Sequence, residues 1–342
     1  MLGAGGTVGL AYHAGALRAL EQEGGFRASE SDLIIGTSAG SVIGAYLRSG
    51  WTAKDFWELA VGSHPALGRL GSHPATLGGL GGVGGVGDAT GPPPEPAGPA
   101  DSEIPQAFAP AFHTPLDLAR RFLGSAYVIT QSVVRIPTPA LPGFLGHVFP
   151  AGLFSMAPGR RRLAAELPEE WPDRPLWLCS VDIVSGERIV LGRRGAPPLS
   201  LADAVAASCA IPGVYPPVRF GRRVLVDGGA RSTTNLDLVL GGECGLAICV
   251  APMAFDRRDP PDPLARLVRR VPTRALAMEM SQARREGVLA LSLRPSAADI
   301  RAHGLRMMRG DGLGAVARAA YESAARIVSS SRFREALGSL AA

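Results

Sequence analysis

The chain has 342 residues, 46% of them hydrophobic and 19% charged, with a formal net charge of +5. That apolar content is enough for a large globular core, and no run reaches the roughly 18 apolar residues that a membrane-spanning helix needs. The positive charge is almost all arginine, because Lys54 is the only lysine. No aromatic-interleaved recognition motif accompanies the arginines, so nucleic acid is not an expected partner; a basic surface suits peripheral contact with an anionic membrane, and a plain compositional bias of the source genome explains the arginines at least as well. Cys179, Cys209, Cys244 and Cys249 lack the C-x-x-C spacing of zinc or redox sites and read as buried, reduced thiols. Met1 and Leu2 lead straight into glycines without a basic and apolar leader, and the expected location is cytoplasmic, at most peripheral at the inner membrane face.

In chain order, Leu10 to Glu23 places Leu10, Ala14, Leu17 and Leu20 at helical spacing, and Gly24-Gly25 ends that helix. Asp32-Leu-Ile-Ile is a short apolar strand, and Ala39 to Leu47 resumes a helical pattern. From about 62 to 115 the composition turns glycine- and proline-rich, which predicts a disordered insertion. Leu116 to Ser132 reads as a helix. An apolar segment over about 137–158 follows; its span Leu141 to Phe154 suits either a membrane-touching cover or core packing, and the burial preference of aromatics favours the core.

Pro175 to Asp182 and Glu187 to Leu191 read as two strands around Ser185-Gly186, and Leu201 to Cys209 as a helix. Arg223-Val-Leu-Val is a strand that delivers Asp227-Gly228-Gly229 at its end. Gly245 to Val250 and Gly287 to Leu293 are further strands, and Ala315 to Ser330 is a closing helix. The alternation predicts one α/β domain over 1–342, a three-layer α/β/α arrangement around a mostly parallel sheet, with chemistry at the carboxyl ends of the strands.

Three motifs carry chemistry. Gly36-Thr37-Ser38-Ala39-Gly40 is a G-x-S-x-G sequence between a strand and a helix, the setting in which a strained turn exposes a nucleophilic serine to the positive end of the helix. Gly3-Ala4-Gly5-Gly6-Thr7-Val8-Gly9 opens the first helix; a dinucleotide site there would require an acidic residue after the next strand, which instead ends in Gly36. Beside a serine turn, such a loop supplies backbone N–H donors for an oxyanion. Asp227-Gly228-Gly229 taken alone is an ordinary turn, but at the end of a strand in the same sheet it offers a carboxylate whose burial would raise its pKa toward that of a working base.

These motifs, in this order, resemble the patatin-like phospholipase family. The likeness extends to Leu10-Ala11 with Gly15-Ala16-Leu17, to Ala207-Ser208-Cys209-Ala210-Ile211-Pro212 and to Asn235, over residues 1–61 and about 175–295. The resemblance implies a Ser38-Asp227 catalytic dyad, an oxyanion hole from the N–H groups of Gly5, Gly6 and Ala39, motif glycines at Gly9, Gly36, Gly40, Gly228 and Gly229, hydrolysis of phospholipid or other acyl-ester lipids, and no metal or cofactor. Two departures stand out: Val8 occupies a position where the family carries Arg or Lys, and only Met1 and Leu2 precede the loop. Either the loop is weakly anchored or the chain starts upstream.

A Ser38-Asp227-His303 triad is the nearest rival, although the surroundings of His303 read as exposed. A catalytically silent lipid-binding protein of the same fold is the other. His13 reads as a helix-packing residue, and His64, His73 and His113 as solvated.

Overall fold

The computed structural model describes residues 1–64, 110–134 and 151–338, with no side chains described at 131–134. Most of the insertion expected at 62–115, and residues 137–150 of the apolar segment, fall outside the described residues.

Helix α1, Gly6–Gly24, begins directly in the glycine loop and ends where Gly25 turns left-handed and the Phe26 amide returns to the Leu20 carbonyl. Strand β1, Ile34–Gly36, leads through Thr37 and Ser38 into α2, Ala39–Arg48. Helix α3, Ala53–Val61, is started by a capping box in which Thr52 and Asp55 satisfy each other's amides. Helix α4, Pro115–Val134, and helix α5, Ala157–Glu166, precede β2, Leu176–Asp182, and β3, Arg188–Leu191. Helix α6, Leu201–Ser208, starts on the Ser200 side chain and leads to the hairpin β4, Val218–Phe220, and β5, Arg223–Asp227.

Strand β6, Leu246–Val250, is followed by α7, Pro263–Arg285, then β7, Leu289–Leu293, α8, Ala297–His303, α9, Leu313–Val328, and α10, Ser331–Gly338. Helix α7 has no counterpart in the sequence reading, because Pro272 interrupts its middle and exposed leucines and valines blur its polar face. Its start is nonetheless conventional, with Asp262 accepting from the Leu264 and Ala265 amides and Pro263 at the first position.

The sheet is mixed. Strands β1 and β2 are parallel, as are β6 and β7, whereas β2 pairs antiparallel with β3 and β5, and β4 with β5. Leu2 joins the two parallel pairs, bridging Gly36 on one side and Val250 on the other. Its amide donates to the Ile35 carbonyl at 2.8 Å, the Gly3 amide to Val250 at 2.9 Å and the Met1 amine to Ile248 at 2.8 Å. The glycine loop is therefore firmly anchored through the bridges of Leu2, contrary to the expectation of a weak attachment.

Alternating side chains divide the core between the two faces. Ile34, Leu178, Val250 and Leu293 pack on one side with α1, α2 and α9; Ile35, Cys179, Cys249 and Ala290 pack on the other with Leu276, Met280 and Ala283 of α7. This is the α/β layering expected from the order of elements. Helix α9 lies so close along α1 that a Cβ at Gly15 would sit 2.1 Å from the Ala317 carbonyl oxygen. All four cysteines are free, and burial pushes the thiols of Cys179 and Cys249 up to about 12.

Candidate active site

Ser38 joins β1 to α2 with φ 54° and ψ −120°, a conformation that costs a residue with a side chain about 1–3 kcal/mol and persists only where its surroundings impose it. They do so by hydrogen bonds on every side. The Ser38 amide donates to Ser208 Oγ at 3.0 Å, Ser208 donates to the Cys179 carbonyl at 2.7 Å, and Ser41 Oγ donates to the Ser38 carbonyl at 2.6 Å. The preceding Thr37 is fixed through its amide to Leu2 and through its hydroxyl to Asn235 Nδ2 at 3.0 Å. Gly40 is a steric requirement, since a Cβ there would lie 1.9 Å from the Leu2 carbonyl oxygen.

Asp227 ends β5 opposite Ser180 of β2, with its amide held by the Ala210 carbonyl. Its buried carboxylate accepts from the Gly229 amide at 2.7 Å and lies beside the Ser38 side chain. Burial raises its pKa to about 6, and the neighbouring Ser38 hydroxyl and Gly229 amide oppose that rise without cancelling it.

The three motifs converge. Gly9 lies against Ala39, Gly229 against Ala4, Gly36 beneath Gly40 and Ser41, and Gly228 against Cys179. The amides of Leu2, Gly3, Ala4 and Val8 are all engaged, but those of Gly5, Gly6 and Ala39 reach no acceptor among the described residues. They lie at the N-termini of α1 and α2, where unsatisfied N–H groups and the helix dipoles favour negative charge. Val8 is wholly buried in the core, so no cation replaces the family's basic residue at that position.

His13 does more than pack. Its Nε2 donates to the Gly3 carbonyl at 2.8 Å and holds the glycine loop, and burial keeps the ring neutral with a pKa near 4. His303 corrects the expectation of an exposed residue: it is buried, its Nδ1 lies 3.1 Å from the Arg269 guanidinium, and its pKa falls to about 3 through burial and the charges of Arg269 and Arg309. Asp227 meets Ser38 directly and makes no bond to His303. His64 is stacked on Trp51 and paired with Asp55 at 3.6 Å rather than simply solvated. Asp55, Glu58 and His64 come within metal-ligand reach of one another, but Asp55 is already occupied by the Thr52 capping box.

Sequence reasoning missed several supports of the site. Ser208 lay inside the stretch Ala207 to Pro212 without an assigned role. Arg269 and Glu279 of α7 gave no signal at all. Arg269 donates to the Pro252 and Ala254 carbonyls, and Pro252 packs against Gly5 and Gly9. Glu279 accepts from Ser232, Thr234 and the Leu236 amide, bracing the segment after Asp227.

A family model described as patatin-like phospholipase matches residues 99–240, a range that includes Asp227 and begins after Ser38. Uncharacterized NTE family proteins Rv2565 of Mycobacterium tuberculosis strain H37Rv and Mb2594 of Mycobacterium bovis are each 38% identical over 77 residues, 22% of this chain and 12% of theirs. The matched part thus spans only a small fraction of the length of these relatives. Among solved structures, VipD from Legionella pneumophila aligns over 98% of this chain and 66% of its own, with 15% identity and a TM-score of 0.37. The family this chain resembles, in the order of its motifs and in the family-model match alike, is that of the patatin-like phospholipases.

Proposed function

We propose that this chain is a serine-dependent acyl hydrolase domain that cleaves lipid acyl esters through a Ser38-Asp227 dyad. The observation that carries the reading is the placement of Ser38, held in a left-handed turn at a helix N-terminus, against the buried Asp227 carboxylate at the end of β5.

In the first half-reaction Asp227 takes the Ser38 hydroxyl proton as Oγ bonds to the ester carbonyl carbon. The N–H groups of Gly5, Gly6 and Ala39 receive the oxyanion, and donors of this kind are each worth on the order of 10²–10³ in rate. The carbon–oxygen bond to the alcohol then breaks, and Asp227 returns the proton to the leaving oxygen. In the second half-reaction Asp227 deprotonates water, the hydroxide adds to the acyl-enzyme, and Oγ leaves with the proton, releasing the carboxylic acid. These residues supply every proton transfer.

The Ser38-Asp227-His303 triad is not favoured, because the ring that would relay the proton is bonded to Arg269 instead. A silent binding protein would leave the strained Ser38 turn without a purpose. Labelling with a fluorophosphonate probe tests the reading: the wild-type protein should label, and Ser38→Ala should not. Absence of serine-dependent labelling from a folded wild-type protein would leave the silent reading standing.

A further inference from the structure

The outward face of α7 is the least expected surface of the molecule. Leu264, Leu267, Val268, Val271 and Met278 are exposed along it, Val271 to 76% and Leu267 to 65%. Their spacing of three, four and seven residues forms one stripe, while Ala265, Arg269, Thr273, Leu276, Met280 and Ala283 form the opposite, buried stripe. Beside the exposed stripe runs a groove of about 1040 Å³, lined by Arg257, Arg266, Arg270 and Arg274 together with Leu267 and Met278. Among the described residues no carboxylate lines it. Among the described residues Arg266, Arg270 and Arg274 form no ion pair, and Glu279, the one acidic residue inside the helix, points inward to Ser232 and Thr234.

We infer that α7 is an in-plane membrane-docking helix, which sinks its apolar stripe into the boundary of an anionic phospholipid bilayer while Arg266, Arg270 and Arg274 meet the head-group phosphates. Charge decides the partner. A stripe meant for a second protein chain would tolerate acidic residues along its rim, whereas unpaired arginines beside exposed leucine and valine match the composition of interfacial helices. The helix is also well placed to carry the bilayer's position inward. Its buried face holds Pro252 through Arg269 and the Ser232–Leu236 segment through Glu279, so the docked helix is bonded to the supports of both the glycine loop and the Asp227 loop. The inference rests on the acyl-lipid reading of function only in supposing that the bilayer carries the substrate.

The full chain carrying Ser38→Ala is used for co-sedimentation, so that binding is read without hydrolysis. Vesicles of phosphatidylcholine mixed with phosphatidylglycerol should pellet the protein, and vesicles of phosphatidylcholine alone should not. Adding Arg266→Gln, Arg270→Gln and Arg274→Gln should weaken binding by about a hundredfold, given the contribution of each basic residue near an anionic surface. Adding Leu267→Ser and Val271→Ser instead should weaken it at least about tenfold through lost apolar burial. Because these side chains are exposed, melting temperatures should hold in both variants. Equal binding by the variants, equal binding to both vesicle types, or no binding at all overturns the inference. A wild-type dimer that becomes monomeric in the Leu267/Val271 variant also overturns it and makes the stripe a self-association surface. Fluorophosphonate labelling of the same variants with Ser38 restored separates the two readings: vesicle binding without labelling sinks the hydrolase alone, and labelling without vesicle binding sinks only the docking helix.

Discussion

The backbone amide of Ser38 donates to the hydroxyl of Ser208, 3.0 Å away and 170 residues distant in sequence, and Ser208 passes the bond on to the carbonyl of Cys179 in β2. The turn that presents the candidate nucleophile is thereby tied to the end of α6 and to the centre of the sheet.

Replacing Ser208 with Ala should destabilise the protein by about 1–3 kcal/mol, because the buried Ser38 amide and Cys179 carbonyl both lose their partner. Turnover should fall through kcat more than through KM, since the loss concerns the aim of Ser38 rather than the binding surface. An unchanged melting temperature would show that water fills the gap and that Ser208 does not hold the turn.

Asp227→Asn keeps the shape of the side chain and removes its ability to accept a proton. Turnover of a soluble ester should drop on the order of 10²–10⁴-fold while the fold persists. Stability should move the other way. Burial raises the folded-state pKa of Asp227 from 3.8 to about 6, so the folded protein holds this proton more tightly than the unfolded chain. The group therefore costs stability progressively as pH rises from about 4 through about 6 and stays costly above, by at most about 3 kcal/mol. Melting temperatures of the Asn variant should match or exceed wild type at pH 8, and that advantage should vanish near pH 4.

The pH profile of wild-type kcat/KM should have an acid limb near pH 6, with activity lost as pH falls and the Asp227 carboxylate gains its proton. His303 titrates near 3 and His13 near 4, so neither accounts for a limb at 6. A limb that persists unshifted in the residual activity of Asp227→Asn would point to a different base.

His303→Ala removes a buried ring that meets Tyr12 edge-on at 5.3 Å and Arg269 at 3.1 Å, so it should lower the melting temperature. The folded fraction should still label at Ser38 with the wild-type pH dependence. If labelling disappears while the melting temperature holds, the triad is restored as the better mechanism.

Gly40→Ala should be among the most damaging single substitutions, because the new methyl must displace the Leu2 carbonyl that lies 1.9 Å from its ideal position. Displacing Leu2 breaks the link between the two parallel strand pairs, and a loss of about 3 kcal/mol or more is expected in chemical denaturation.

Much of the candidate site was legible because its chemistry is written in short contiguous segments. The Ser38 turn needs small residues on both sides, the glycine loop needs glycines where a helix starts against a neighbour, and Asp227 needs only to follow an apolar strand. Each condition is local, and each left a pattern in neighbouring residues. The regular elements were legible for the same reason: β6 and β7 lie within the apolar runs that suggested them, and α1 stops at its glycines.

What the sequence could not determine depends on residues far apart in the chain. How the glycine loop is anchored was decided by the slot between β1 and β6, which gives Leu2 bridge partners on both sides. Burial of His303 was decided by Arg269 and Tyr12, which no local pattern connects to it. Helix α7 was hidden because one of its faces braces the glycine loop and the segment after Asp227 while the other stays apolar and exposed, leaving no clean polar stripe to betray its period. Local composition fixes which bonds a segment can make, whereas burial and long-range hydrogen bonds decide which of them it does make, and those exist only once the layers have closed.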